Sequence, residues 1–140
     1  MTAKEYLQDL RRLESEVRTR QESIDRLRSI ASAPRSASMG DRVTESRTCD
    51  LSEILARIED LETEWNSKID ELIDKKRKSQ LQIDKLETAE HREVLTQYYI
   101  NAHTFEQTAV NLSCSYMTVC RWHGRALQEF ERLNPDISKL

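Results

Sequence analysis

The stretch TFEQTAVNLSCSYMTVCRW, Thr104–Trp122, decides how this chain folds. Thr104 and Gln107 have capping-box spacing, in which a hydroxyl and a side-chain carbonyl satisfy free backbone N–H groups at a helix start. A short helix is expected from Thr104 through Leu112. Ser113-Cys114 reads as a tight turn, and Ser115 as the cap of a longer helix running to about Leu133. Asn134-Pro135 ends that helix, because the residue before proline avoids the α region. Ala109 is small where the two helices cross closest. Leu112, Val119 and Trp122 are spaced to face inward and fix the crossing angle. Ser113 stands where such turns more often hold glycine, a position needing φ > 0. Thr108 occupies a site where an apolar residue would pack better.

Upstream, Ala89 to about Asn101 carries Val94, Leu95, Tyr98, Tyr99 and Ile100 and predicts another helix, broken at Asn101-Ala102-His103. Residues 87–134 thus form a compact three-helix domain. The front of the chain has a longer rhythm. Thr2 and Glu5 make a capping box, and apolar residues follow at Tyr6, Leu10, Leu13, Val17, Ile24, Leu27 and Ala31. These steps of three and four are a heptad stripe, interrupted by Arg20. The helix would be about 45 Å long. Between Ser32 and Asp50 the chain is small and polar, with Pro34 and Gly40, and reads as a long mobile connection. Asp50 and Glu53 repeat the capping-box spacing and predict a second long helix. Its stripe is Ile54, Ile58, Leu61, Trp65, Ile69 and Leu72, weakening toward Ile83 and Leu86 across Lys75-Lys76-Arg77-Lys78. The two steps of four at 61–65–69 are a stutter. Neither long helix can bury its stripe alone, so the two fold back as an antiparallel hairpin or pair with a second copy. The expected fold class is all-α: a helical hairpin over 1–86 with a mobile loop at 32–50, then a helix-turn-helix domain over 87–140.

Composition agrees. Only two glycines and two prolines occur in 140 residues, and 34% are charged, which excludes a loop-rich fold, a β-barrel or a Gly-rich phosphate-binding enzyme. Mean hydropathy is −0.75. No run of 18 apolar residues and no apolar signal core exist, so neither a membrane nor secretion is expected, and the cytoplasm of a bacterial host fits. Cys49, Cys114 and Cys120 lack CxxC spacing, which argues against a disulfide framework or zinc cluster. No cofactor or metal is expected. His91, His103 and His123 are isolated, with no nucleophile arrangement beside them, so no enzyme is expected.

In a helix-turn-helix, the second helix projects its N-terminal half into the major groove. The outward positions are Tyr116, Met117, Cys120 and Arg121. Arg121 suits guanine, whose O6 and N7 a guanidinium bridges, and Tyr116 and Met117 suit a thymine methyl or the sugar edge. Thr104 and Ser115, at helix starts, with His123 and Arg125, are placed to hold phosphates. Lys75–Lys78 would either add backbone contacts or form a solvated face. Net charge is −3, and residues 87–140 hold five Lys/Arg against seven Asp/Glu. Phosphate affinity scales with the charges neutralised, so a homodimer or a partner such as RNA polymerase is needed to strengthen binding.

Residues Val94–Leu133 resemble the fourth region of sigma-70-type factors, through Leu95, Tyr98 or Tyr99, Thr104, Ala109, Leu112, Ser115, Val119 and Arg125-Ala126-Leu127. The whole chain is similar to the ArpU-like late-gene regulators of phages and prophages. That similarity rests on Tyr6-Leu7, the Met39-Gly40-Asp41-Arg42-Val43 turn and Ile58-x-x-Leu61. It implies a transcription regulator binding double-stranded DNA, with nothing catalytic. The rival expectation is a coiled-coil adaptor that binds a protein through a degenerate helix-turn-helix. Small terminases also join such motifs to coiled coils, but they usually place the DNA-binding part first, unlike this chain.

Overall fold

A computed structural model describes the backbone of residues 1–33 and 41–140, and the side chains of 1–33 and 51–140. Among the described residues every regular element is helical. They are α1 (Ala3–Ala31), α2 (Asp41–Ile83), α3 (Ala89–Leu95) continued by a π-helical turn (Thr96–Ile100), α4 (Phe105–Asn111), α5 (Tyr116–Leu133), and a closing 3-10 turn (Pro135–Lys139). None is long and apolar enough to cross a membrane.

The starts of α1, α4 and α5 follow the capping rules. Thr2 Oγ1 accepts from the Glu5 N–H at 3.2 Å, and Glu5 returns a carboxylate to the Thr2 N–H at 2.8 Å. Those bonds from Thr2 hold the Glu5 carboxyl below its ordinary range. The start of α2 corrects the expectation at Asp50. Of the connection expected at 32–50, residues 34–40 lie outside the described residues, but helix is already formed at Asp41. Asp50 therefore lies inside α2 and does not cap it. Residues 41–50 contain neither proline nor glycine, so no helix breaker stands among them. The turn expected from Met39 to Val43 is likewise helical from Asp41 onward, with Met39 and Gly40 outside the described residues.

The chain divides into two units, and the division falls within α1 and α2 rather than at residue 87. One unit is Ser15–Asp70, two antiparallel helical segments. Ile24, Ile58 and Leu61 are buried together, with Leu27, Ile54 and Trp65 partly buried against them. Ion pairs edge this seam: Lys68–Glu16 at 3.5 Å, Arg20–Glu64 at 3.7 Å, and Arg28–Glu62. Arg20, the interruption in the heptad stripe, leans out of the seam so that its half-buried guanidinium meets Glu64 and Glu16.

The other unit joins Met1–Glu14 to Glu71–Leu140. Leu7, Leu10 and Leu13 of α1 are fully buried there, as are Ile83, Leu86, Val94, Leu95, Tyr99, Ala126, Phe130 and Ile137. Tyr6 shows why the first turns of α1 belong here: its hydroxyl donates to Gln82 Oε1 at 2.9 Å, and its ring lies 6.3 Å from that of Phe130. Lys75 pairs with Asp9, and Lys76 with Glu14 at 2.6 Å. Half of the basic run at 75–78 is therefore spent on ion pairs within the unit, leaving Arg77 and Lys78 exposed.

Candidate nucleic-acid interface

α4 and α5 meet across a turn that resolves the question raised by Ser113. Its φ is 55°, the left-handed conformation. The Cys114 N–H donates to Ala109 O at 3.0 Å and the Ser113 N–H to Val110 O at 3.2 Å, the paired bonds of a Schellman ending. Serine thus occupies a backbone position that favours glycine, at a conformational cost. Ala109 and Val119 are buried together with Val94, and Phe105, Leu112, Cys114 and Trp122 pack against them. Thr108, expected to weaken the packing, is fully buried with its hydroxyl donating to Thr104 O at 2.8 Å. Its polar group costs little because it is satisfied.

The two caps are self-contained. Thr104 Oγ1 accepts from the Gln107 N–H at 3.1 Å, and Gln107 Oε1 accepts from the Thr104 N–H at 3.0 Å. Ser115 Oγ accepts from the Thr118 N–H at 3.1 Å and lies 2.8 Å from the Thr118 hydroxyl. Both residues sit exposed where the sequence put them, but their hydroxyls already hold backbone.

His123 departs furthest from expectation. Instead of facing outward to phosphate, its ring is set among Tyr98, Tyr99 and Phe105, with centroids 5.4, 5.6 and 5.0 Å away. Its Nε2 lies 2.7 Å from the buried Tyr99 hydroxyl. Burial, with the Lys4 charge adding to it, pulls the imidazole down to about 4. Burial also pushes the Tyr99 phenol up, with Tyr98 adding to it. At neutral pH the half-buried His123 ring carries no charge to offer a phosphate.

A basic residue absent from the sequence reading closes this end of the unit. Arg11, from α1, donates through one guanidinium nitrogen to Tyr98 O at 2.6 Å and to His103 O at 2.9 Å. Its guanidinium carbon stands 3.9 Å from the centre of the Tyr98 ring. The π-helical turn and the left-handed Ala102 (φ 56°) lie in the segment that brings these two carbonyls to one guanidinium nitrogen. Spacing within the chain gave no sign of this contact. On α3, His91 Nδ1 lies 2.6 Å from Glu129 Oε2, and the Glu87 N–H donates to Glu129 Oε1 at 2.8 Å. Burial alone would raise the Glu129 carboxyl, but the bonds from His91 and Glu87 outweigh it and hold the group below its ordinary range.

The outer surface of α5 follows from helical geometry. Val119, Ala126 and Phe130 are its buried residues. At about 100° per residue the opposite stripe is Met117, Arg121, Gly124, Arg125, Gln128 and Arg132, all exposed. The stripe holds three arginines and is edged by carboxylates, Glu131 beside Gln128 and Glu129 beside Arg125. Among the described residues, none of the three guanidiniums has a carboxylate partner, while Glu129 is occupied by His91. The four residues expected to read bases divide between two faces. Met117, 66% exposed, and Arg121 stand on the stripe. Tyr116 and the half-buried Cys120 lie on the side nearer α4, where the Tyr116 ring meets Phe105 edge-on at 6.2 Å. The neighbouring Cys120 pushes the Tyr116 phenol up. Arg132 and Gln128 were missed in sequence, although laying α5 through its full length on a helical wheel would have found them.

These features define an all-helical protein in which two long helices supply one antiparallel unit and frame a second, with α4, a left-handed turn and a basic α5 on its surface. The chain belongs to the family described as Protein of unknown function (DUF1492), whose model matches residues 36–131. No curated protein matches the chain, and no solved structure does.

Proposed function

We propose that the protein binds double-stranded DNA through α5 as a transcription regulator of phage or prophage type. The observation that carries this reading is the outward stripe of α5: three exposed arginines with no carboxylate partner among the described residues, on a helix held by a buried face against α4 and α3. An overall acidic balance hides this local excess. In this reading Arg121 and Met117 enter the major groove, with Tyr116 and Cys120 along one wall. Arg125 and Arg132 hold backbone phosphates, which position the helix without reading sequence. Thr104 and Ser115 stiffen the helix starts, and His123 has no part in the contact. The unit at 15–70 serves as a self-association arm, supported by the exposed Ile30 and Leu55 beside a core of only two helices. A homodimer would then engage half-sites one or more helical turns apart.

The experiment is selection from a random duplex library by the full chain at roughly 50 mM salt, where phosphate contacts count most. An enriched site that Arg121→Ala fails to bind supports the reading; absence of enrichment overturns it. One observation favours the adaptor reading instead. Val110, 78% exposed on α4, borders an open recess of about 420 Å³ with His103, Glu106, Gln107 and Asn111, a place for a protein partner such as RNA polymerase. Under that reading Val110→Asp disrupts partner binding and leaves DNA binding intact.

A further inference from the structure

α5 contains a glycine that nothing among the described residues calls for. Gly124 lies in the middle of a helix running from Tyr116 to Leu133. After proline, glycine is the costliest residue in a helix interior, since it brings the most backbone freedom to be lost. Two reasons commonly excuse it: a left-handed φ, or a neighbour too close for a side chain. Neither applies. Gly124 has no positive φ, and a Cβ built there meets nothing within 4 Å. Nothing among the described residues calls for the bare backbone there, which leaves it open to a partner.

Its position says what kind of partner that is. Gly124 is three residues after Arg121, one before Arg125 and four before Gln128, on the stripe opposite the buried face. It makes a gap flanked one turn away by Arg121 and Gln128 on one side and by Cys120 and Leu127 on the other, with Glu131 two turns along. From Arg121 to Arg132 the helix rises about 16 Å, enough to span a major groove about 12 Å wide and reach backbone beyond it. An acidic protein segment would meet the guanidinium tips, well out from the helix axis, and would not need a missing Cβ. A sugar–phosphate strand lying down between Arg121 and Gln128 would.

Resting on the DNA-binding reading, we propose that Gly124 is the point where the DNA backbone comes closest to α5, and that this close approach seats the helix at its working depth in the groove. Gly124 is then a positioning residue, acting through absence of bulk: Arg125 grips the strand beside it, while Arg121, one turn back, reaches the base edges.

The test uses the full chain with Gly124→Ala and Gly124→Gln, both better helix formers than glycine. Thermal melts are followed alongside fluorescence-anisotropy titrations with the selected duplex over a range of salt. The expected result is opposite movement: melting temperature rises in both variants, while DNA affinity falls severalfold with alanine and at least tenfold with glutamine. The salt dependence flattens in the glutamine variant as phosphate contacts are lost. If the unsubstituted chain binds the duplex and both variants bind within twofold of it, the close approach is overturned and DNA binding stands. If the unsubstituted chain binds no duplex, both fall.

Discussion

Acidification should weaken this fold through one residue before the carboxylates take over. His123 is the group, and the cause is the ring cluster of Tyr98, Tyr99 and Phe105 around it, with Lys4 opposing its protonation. Its imidazole titrates at about 4 in the folded chain, against 6.5 when free. Between those values the unfolded chain binds the proton and the folded chain does not, so stability is complete above 6.5 and is lost progressively as pH falls toward 4. Each tenfold preference for the neutral form is worth about 1.4 kcal/mol, which puts a ceiling of about 3 kcal/mol on the loss. Solvent reaches part of the ring and screens it, so about 1–2 kcal/mol is the expected size. The assay is urea unfolding at pH values from 7.5 to 4.5, compared with His123→Gln, which keeps a polar partner for the Tyr99 hydroxyl but does not titrate. Glu129, whose carboxyl is also depressed, titrates in both proteins and cancels in the difference. NMR titration of the three histidine rings reads the same quantity directly. A His123 ring that protonates near 6.5, or parallel stability curves for the two proteins, refutes the reasoning.

Arg11→Ala removes two charge-assisted hydrogen bonds and a cation–π contact, and should cost about 2–4 kcal/mol in denaturant unfolding. Arg11→Lys should recover only part, because an ammonium lacks the planar face that lies over the Tyr98 ring. Ser113→Gly should stabilise by about 0.5–1 kcal/mol, measured as a higher melting temperature, since it relieves a side chain held at φ 55°. Arg132→Ala should weaken DNA binding equally on selected and unselected duplexes and lower the salt slope by about one, read by anisotropy; a sequence-dependent loss would make it a base contact.

What the sequence revealed, and what it did not, divides along a physical line. Local chemistry was legible. The Thr104–Gln107 box, the Ser115 cap, the inward Leu112, Val119 and Trp122, and the proline stop after Asn134 all depend on residues within a few positions of one another. The heptad stripe of α1, ending at Ala31, is of the same kind. Contacts that join distant segments were not legible. Nothing near His123 foretells that Tyr99 and Phe105 enclose it, and nothing near Arg11 foretells a carbonyl at Tyr98. The α2 start was missed because Asp50 and Glu53 imitate a cap inside a helix that needs none there. The basic stripe of α5 was hidden by summing charge over residues 87–140, which counts against the arginines acids lying elsewhere in the unit and a Glu129 already held by His91.

Because Leu7, Leu10 and Arg11 belong to the same unit as α5, that unit is written in the gene as two separated passages with the antiparallel arm between them. A genetic exchange at residue 87 would give a relative's α3–α5 a foreign first helix, with mismatched side chains under Phe130 and at the Tyr98 carbonyl. Exchange of 15–70 between relatives would instead leave both passages intact. Among genomes that shuffle by recombination, the middle of this chain should therefore diversify as a cassette while its two ends are inherited together.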